Sequence, residues 1–161
     1  MLIAIDPGSE RSAYVVVDYG GAIVDAGIRP NDEMSMVFHN RRVRGAHLAV
    51  EMIASYGMPV GREVFETCVW IGRFVEAWDG AFSFVYRRDV KLHLCGTSRA
   101  KDPNVRQALI DAWGGKVAAI GSAKARGPLY EMAADMWAAL GVAKTWWDAN
   151  RDSVLGRGEQ P

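Results

Sequence analysis

The chain opens on two apolar runs separated by a polar turn: Leu2-Ile3-Ala4-Ile5 closes on Asp6, Pro7-Gly8-Ser9 follows, and Ala13-Tyr14-Val15-Val16-Val17 closes on Asp18. Such runs, rich in β-branched residues and bounded by turn formers, predict strands. Three come first, at about Leu2–Asp6, Ser12–Val17 and Ala22–Ile28, the last two joined as a hairpin through Asp18-Tyr19-Gly20-Gly21. Asn31 and Asp32 are natural caps for a short helical piece. His47–Ile53 is a further apolar run carrying one carboxylate, Glu51, and suits a buried central strand.

The period then changes. After the Met58-Pro59-Val60-Gly61 loop, Val64, Cys68, Ile71 and Val75 recur at helical spacing, and Phe65, Trp70, Phe74 and Trp78 widen the apolar surface of a long helix over Glu63–Trp78. Phe82–Tyr86 is a short strand leading into Arg88–Leu94, and Gly96–Lys101 is a loop. Asp102-Pro103 reads as the cap and first residue of a helix running to Trp113. Gly114–Gly127, rich in glycine and lysine, reads as a mobile connection. Pro128 opens the last helix, expected to run through Trp147 with Met132, Met136, Ala139, Leu140 and Ala143 on its packing face, and the residues from 149 onward read as a polar tail.

At 161 residues the chain fits one domain, with a core that needs neither disulfide nor metal staple. No repeat, linker or low-complexity stretch interrupts it, so the expected division is a catalytic domain over 1–148 and a tail over 149–161. Cys68 and Cys95 lie far apart within apolar runs and lack CxxC spacing, which points to buried reduced thiols and a cytoplasmic location. His39, His47 and His93 lack zinc spacing, and Trp70, Trp78 and Trp137 sit on apolar helical faces as packing residues. No signal-peptide pattern precedes the first strand, and no apolar run reaches the roughly 18 residues of a membrane span.

Charge is balanced, with 19 Lys and Arg against 19 Asp and Glu, whereas a nucleic-acid binder usually carries a basic excess. Distribution has to supply what the total does not. Basic residues gather at Arg41, Arg42 and Arg44, at Arg87, Arg88 and Lys91, at Arg99, Lys101 and Arg106, and at Lys124 and Arg126. One such cluster is an ordinary solvated face; four together suit a polyanionic partner.

The candidate chemistry lies in the acids. A carboxylate closing an apolar strand, beside the exposed N–H groups of a turn, is placed to hold a divalent cation near phosphate. Asp-Pro-Gly alone is equally a common turn, so weight comes from a second acid, Glu51, within another apolar strand.

The order of elements is that of an RNase H-like domain: a five-stranded mixed sheet, three antiparallel strands first, flanked by helices. Within that class the chain resembles RuvC-type Holliday junction resolvases from Ile3 to about Trp146. The resemblance is carried by Ile3-Ala4-Ile5-Asp6-Pro7-Gly8, Ala49-Val50-Glu51, Asp89-Val90-Lys91-Leu92 with Gly96, Arg99-Ala100-Lys101-Asp102 through Val105-Arg106, and Ala133-Ala134-Asp135. The short segment between the third and fourth strands looks more like phage or prophage members. The resemblance implies phosphodiester hydrolysis with two Mg²⁺ or Mn²⁺ ions about 3.5–4 Å apart. Asp6 would bridge them, Glu51 would bind one and Asp135 on the last helix the other. The family's usual metal-facing group three residues before the final acid is here Met132, and Glu131, one residue further back, is the candidate replacement or an ordinary first-turn acid.

The resemblance further implies branched DNA as partner, a homodimer to make two symmetric nicks, and phosphate contacts from Lys101, Arg99, Arg106 and Lys91. Tyr56, Met58 and Phe65 fall where resolvases insert a wedge into the junction, although each also fits core or interface packing. Two other classes stay open. A junction-binding protein without cleavage would keep the fold and the basic loops, whereas an actin or sugar-kinase type ATPase needs two lobes, for which this chain is short.

Overall fold

The computed structural model describes residues 1–40 and 45–155. Arg41, Arg42 and Arg44, residues 156–161 of the expected tail and the side chain of His39 lie outside the described set.

Five strands form the main sheet: β1 (Leu2–Asp6), β2 (Arg11–Val17), β3 (Ile23–Pro30), β4 (His47–Met52) and β5 (Phe82–Tyr86), in the order β3-β2-β1-β4-β5. The first three are antiparallel neighbours, while β4 runs parallel to β1 and β5 parallel to β4. The runs in β1, β2 and β4 are apolar throughout because both faces of the sheet are covered. Leu2, Ala4, Val15 and Ala49 face one core, and Ile3, Ile5, Val16 and Val50 face the other. The first core is closed by α6 (Met136–Leu155), which crosses β1 and β2, with α3 (Arg87–Cys95) and α4 (Asp102–Ala112) packed beside it. The second is closed by α1 (Asn31–Asn40) and α2 (Arg62–Trp78), where Phe38 meets Phe74 and Trp78 edge to face.

The long helix α2 buries Thr67, Ile71, Phe74 and Trp78, a stripe of three- and four-residue steps, and leaves Phe65 and Val69 exposed. The segment after β5, left without a type by its sequence, is helix α3, ended by Gly96 in the left-handed conformation (φ 69°).

Three expectations change. Gly114–Gly127 is ordered as a short helix, α5 (Gly115–Ala119), and a small hairpin, β6 (Gly121–Ser122) with β7 (Ala125–Arg126). The last helix starts at Met136 and not at Pro128. The N–H groups of Gly127 and Leu129 donate to Ile120 and Ala119, and Ala134 has φ +42°, so this stretch is held in turns against α5. At the other end α6 continues to Leu155, past the expected start of the tail. Finally, the cap of α4 is Lys101 and not Asp102: the Lys101 N–H donates to Asn104 Oδ1 at 3.0 Å, while the Asp102 carboxylate is engaged elsewhere. No described helix is long and apolar enough to cross a membrane.

Candidate active site

Asp6 and Glu51 are brought together by the parallel pairing of β1 and β4. The register pairs Ile5 with Val50, so the next residue on each strand is an acid, and the two carboxyl groups hydrogen-bond. Glu51 is buried beneath the surface of an apolar sheet and Asp6 is half-buried at its end. Desolvation disfavours the charged form and two nearby carboxylates repel, so both groups resist ionisation. Burial first, then the charges of Glu51 and Asp135, push Asp6 up to about 8. Burial also raises Glu51, against the pull of the Arg87 guanidinium.

The turn after Asp6 is fixed by two buried polar side chains. The Gly8 N–H donates to Ser12 Oγ at 3.2 Å, Ser12 Oγ donates to Asn31 Oδ1 at 2.7 Å, and Asn31 Nδ2 donates to the Gly8 carbonyl at 2.9 Å. Asn31 reads in the sequence as a helix cap; its side chain in fact closes this loop. A Cβ on Gly8 would stand 2.3 Å from the Arg11 carbonyl oxygen, which makes glycine obligatory for this close approach.

Arg87, which sequence reasoning placed only in a basic cluster, belongs to the site. It opens α3 directly after β5, with Nη1 3.6 Å from Glu51 Oε2 and Nη2 2.7 Å from Asp102 Oδ1. The Arg87 bond holds Asp102 below the usual carboxylate range. Glu51 Oε2 and Arg87 Nη1 are both buried without a hydrogen-bond partner. The signal available beforehand was an arginine at the end of the strand adjacent to the one carrying Glu51.

Asp135 precedes α6, its carbonyl accepting from the N–H groups of Ala138 and Ala139, and its exposed carboxylate acts on Asp6 through its charge. Among the described residues no three Asp, Glu, His or Cys side chains stand close enough together to hold one ion, so the structure assembles a pair with Asp135 outside it. Glu131 is not on the helix. It lies exposed in the preceding turns with its carboxylate 2.7 Å from Arg126 Nη1, while Met132 is buried in the core.

Of the candidate DNA contacts, Arg99 and Lys101 are exposed in the loop before α4, and Lys91 is half-buried with Nζ 4.0 Å from Asp102 Oδ1. The Arg106 guanidinium lies 4.7 Å from the centre of the Trp137 ring, over its face. Tyr56, Met58 and Phe65 are all exposed, at 61%, 73% and 62%, beyond the end of β4 that carries Glu51.

This sheet order and the helices on both faces give the chain an RNase H-like fold. Its fold is that of RuvC. The Thermus thermophilus RuvC structure superposes with a TM-score of 0.63 at 16% identity, covering 95% of this chain and 96% of that one. T. thermophilus RuvC in complex with Holliday junction substrate gives 0.62 at 13% identity over the same shares. No protein-family model and no curated protein matches the sequence.

Proposed function

We propose that this chain is a metal-dependent endodeoxyribonuclease of the junction-resolving kind, cutting four-way or branched DNA by paired symmetric nicks. The observation that carries the reading is the Asp6–Glu51 pair at the ends of adjacent parallel strands, in a fold shared with a protein whose structure holds a Holliday junction.

The pair fits a hard divalent cation. Mg²⁺ and Mn²⁺ take one or two carboxylates and keep water and phosphate oxygens in their remaining positions. Two apposed carboxyl groups, one with a buried oxygen lacking any hydrogen bond, form such a donor set. Asp6 and Glu51 would hold the first ion and Asp135 the second; Glu131 would join only by leaving Arg126. Bound ions supply charge stabilisation at the scissile phosphate and a lowered pKa for the attacking water. Lys101, Arg99, Arg106 and Lys91 would neutralise phosphates, and Tyr56, Met58 or Phe65 would wedge the junction centre. Two nicks need two sites, and the exposed Phe65 and Val69 of α2 with Phe82, Phe84 and Tyr86 on the edge strand β5 support a homodimer.

The test is cleavage of a synthetic four-way junction beside matched duplex and RNA–DNA hybrid. Coupled nicks in the junction with Mg²⁺ or Mn²⁺, none with EDTA, and binding without turnover in Ca²⁺ are expected. Preferential cutting of the hybrid would overturn the substrate assignment. A second reading, junction binding without cleavage, is favoured by the exposed position of Asp135 outside the pair; tight binding with no cutting under any divalent ion would establish it.

A further inference from the structure

We propose that Arg87 is the resident counter-cation of the acid pair, bridging Glu51 and Asp102 in the metal-free protein and yielding Glu51 to an incoming divalent ion while Asp102 retains it. This rests on the metal reading of the Asp6–Glu51 site. The backbone position of Arg87 follows from the sheet: β5 pairs with β4 through Glu51–Val85 and Met52–Tyr86, so the next residue, the first of α3, comes up beside the acid.

The two arms of its guanidinium are unequally used. Nη2 makes a 2.7 Å charge-assisted hydrogen bond to Asp102, whereas Nη1 stands 3.6 Å from Glu51 Oε2, an ion-pair distance too long for a hydrogen bond. Neither Nη1 nor Glu51 Oε2 has another partner, although both are buried. A pair kept only for stability would close, because a buried half-satisfied pair costs more than one that is fully bonded or absent. Left open, the pair offsets the charge of Glu51 without occupying its oxygen. Asp102 is suited to the complementary task, being exposed at the start of α4 with its carboxylate already bonded to Arg87. Arginine suits this position better than lysine, since one planar fork reaches two carboxylates and stays charged at every working pH.

The test is Mn²⁺ affinity of the full chain, by titration calorimetry at pH 8.5, with melting temperature of the metal-free protein as second readout. Removing the counter-cation with Arg87→Met is expected to tighten Mn²⁺ binding roughly tenfold while lowering the metal-free melting temperature. Asp102→Asn, an exposed change, releases the arginine onto Glu51 and is expected to weaken Mn²⁺ binding by about threefold or more. Lys91→Met removes the same charge one step further along the chain of ions and should shift affinity less than about threefold. A purely structural arginine would give weaker binding in Arg87→Met, and that outcome, or an unchanged affinity in both Arg87→Met and Asp102→Asn, overturns the proposal. Should Arg87→Met not fold, a tighter or unchanged affinity in Asp102→Asn overturns it alone. Wild-type protein that binds no Mn²⁺ removes the metal reading as well, whereas wild-type binding with unmoved variants removes only the role of Arg87.

Discussion

Asp6 and Glu51 form a hydrogen-bonded carboxyl pair, one residue beyond the last paired positions of two parallel strands, in which burial and the neighbouring charge of Glu51 push Asp6 up to about 8. An acid whose pKa is raised on folding binds its proton more tightly in the native state, so stability falls as pH rises between the unfolded and folded values. For Asp6 that window runs from 3.8 to about 8. The metal-free protein should therefore lose stability across this range, and Asp6→Asn, which cannot ionise, should flatten the profile. Urea melts at several pH values in EDTA check this; a wild-type profile that rises from pH 5 to 8 would refute the assignment.

On the proposed metal reading, Asp6→Asn, Glu51→Gln and Asp135→Asn are each expected to lower junction cleavage more than about a hundredfold while junction affinity stays within about threefold, because the three acids would then hold the ions together and affinity would rest on phosphate contacts. Glu131→Gln, paired with Arg126 at the surface, should change cleavage less than about threefold. Single-turnover rates with Mg²⁺ measure both. A large loss in Glu131→Gln would return it to the ligand set.

Lys101→Ala and Arg99→Ala remove exposed cations from the loop before α4. Each should weaken junction binding and lower the slope of log affinity against log salt by about 0.9, if each neutralises one phosphate. Filter binding between low and moderate salt reads this slope, and an unchanged slope places the residue off the DNA.

Gly8→Ala puts a methyl group 2.3 Å from the Arg11 carbonyl oxygen and forces open the loop that Ser12 and Asn31 close. A loss of about 2 kcal/mol is expected, with cleavage falling further than stability accounts for, because the loop leaves directly from Asp6. Denaturant melts beside cleavage at a temperature where the variant is folded separate the two effects.

What the sequence by itself determined was local. The apolar runs that form β1, β2 and β4, the acids set within them, and the helical period of α2 are all carried by neighbouring residues, so they can be read without knowing what packs on them. Even the pairing of Asp6 with Glu51 follows once two such strands are taken as neighbours. Tertiary structure decided the rest, because it depends on groups brought in from far along the chain. Pro128 is a sound helix start by propensity, yet α6 waits until Met136 because the intervening backbone hydrogen-bonds to Ala119 and Ile120 and Ala134 turns left-handed. Asp102 is a sound cap by composition, yet its carboxylate is taken by Arg87, and Lys101 caps the helix. Arg87 itself reads as one of many surface cations; only the order of β1, β4 and β5 in the sheet sets it beside a buried acid, where low dielectric makes its charge count.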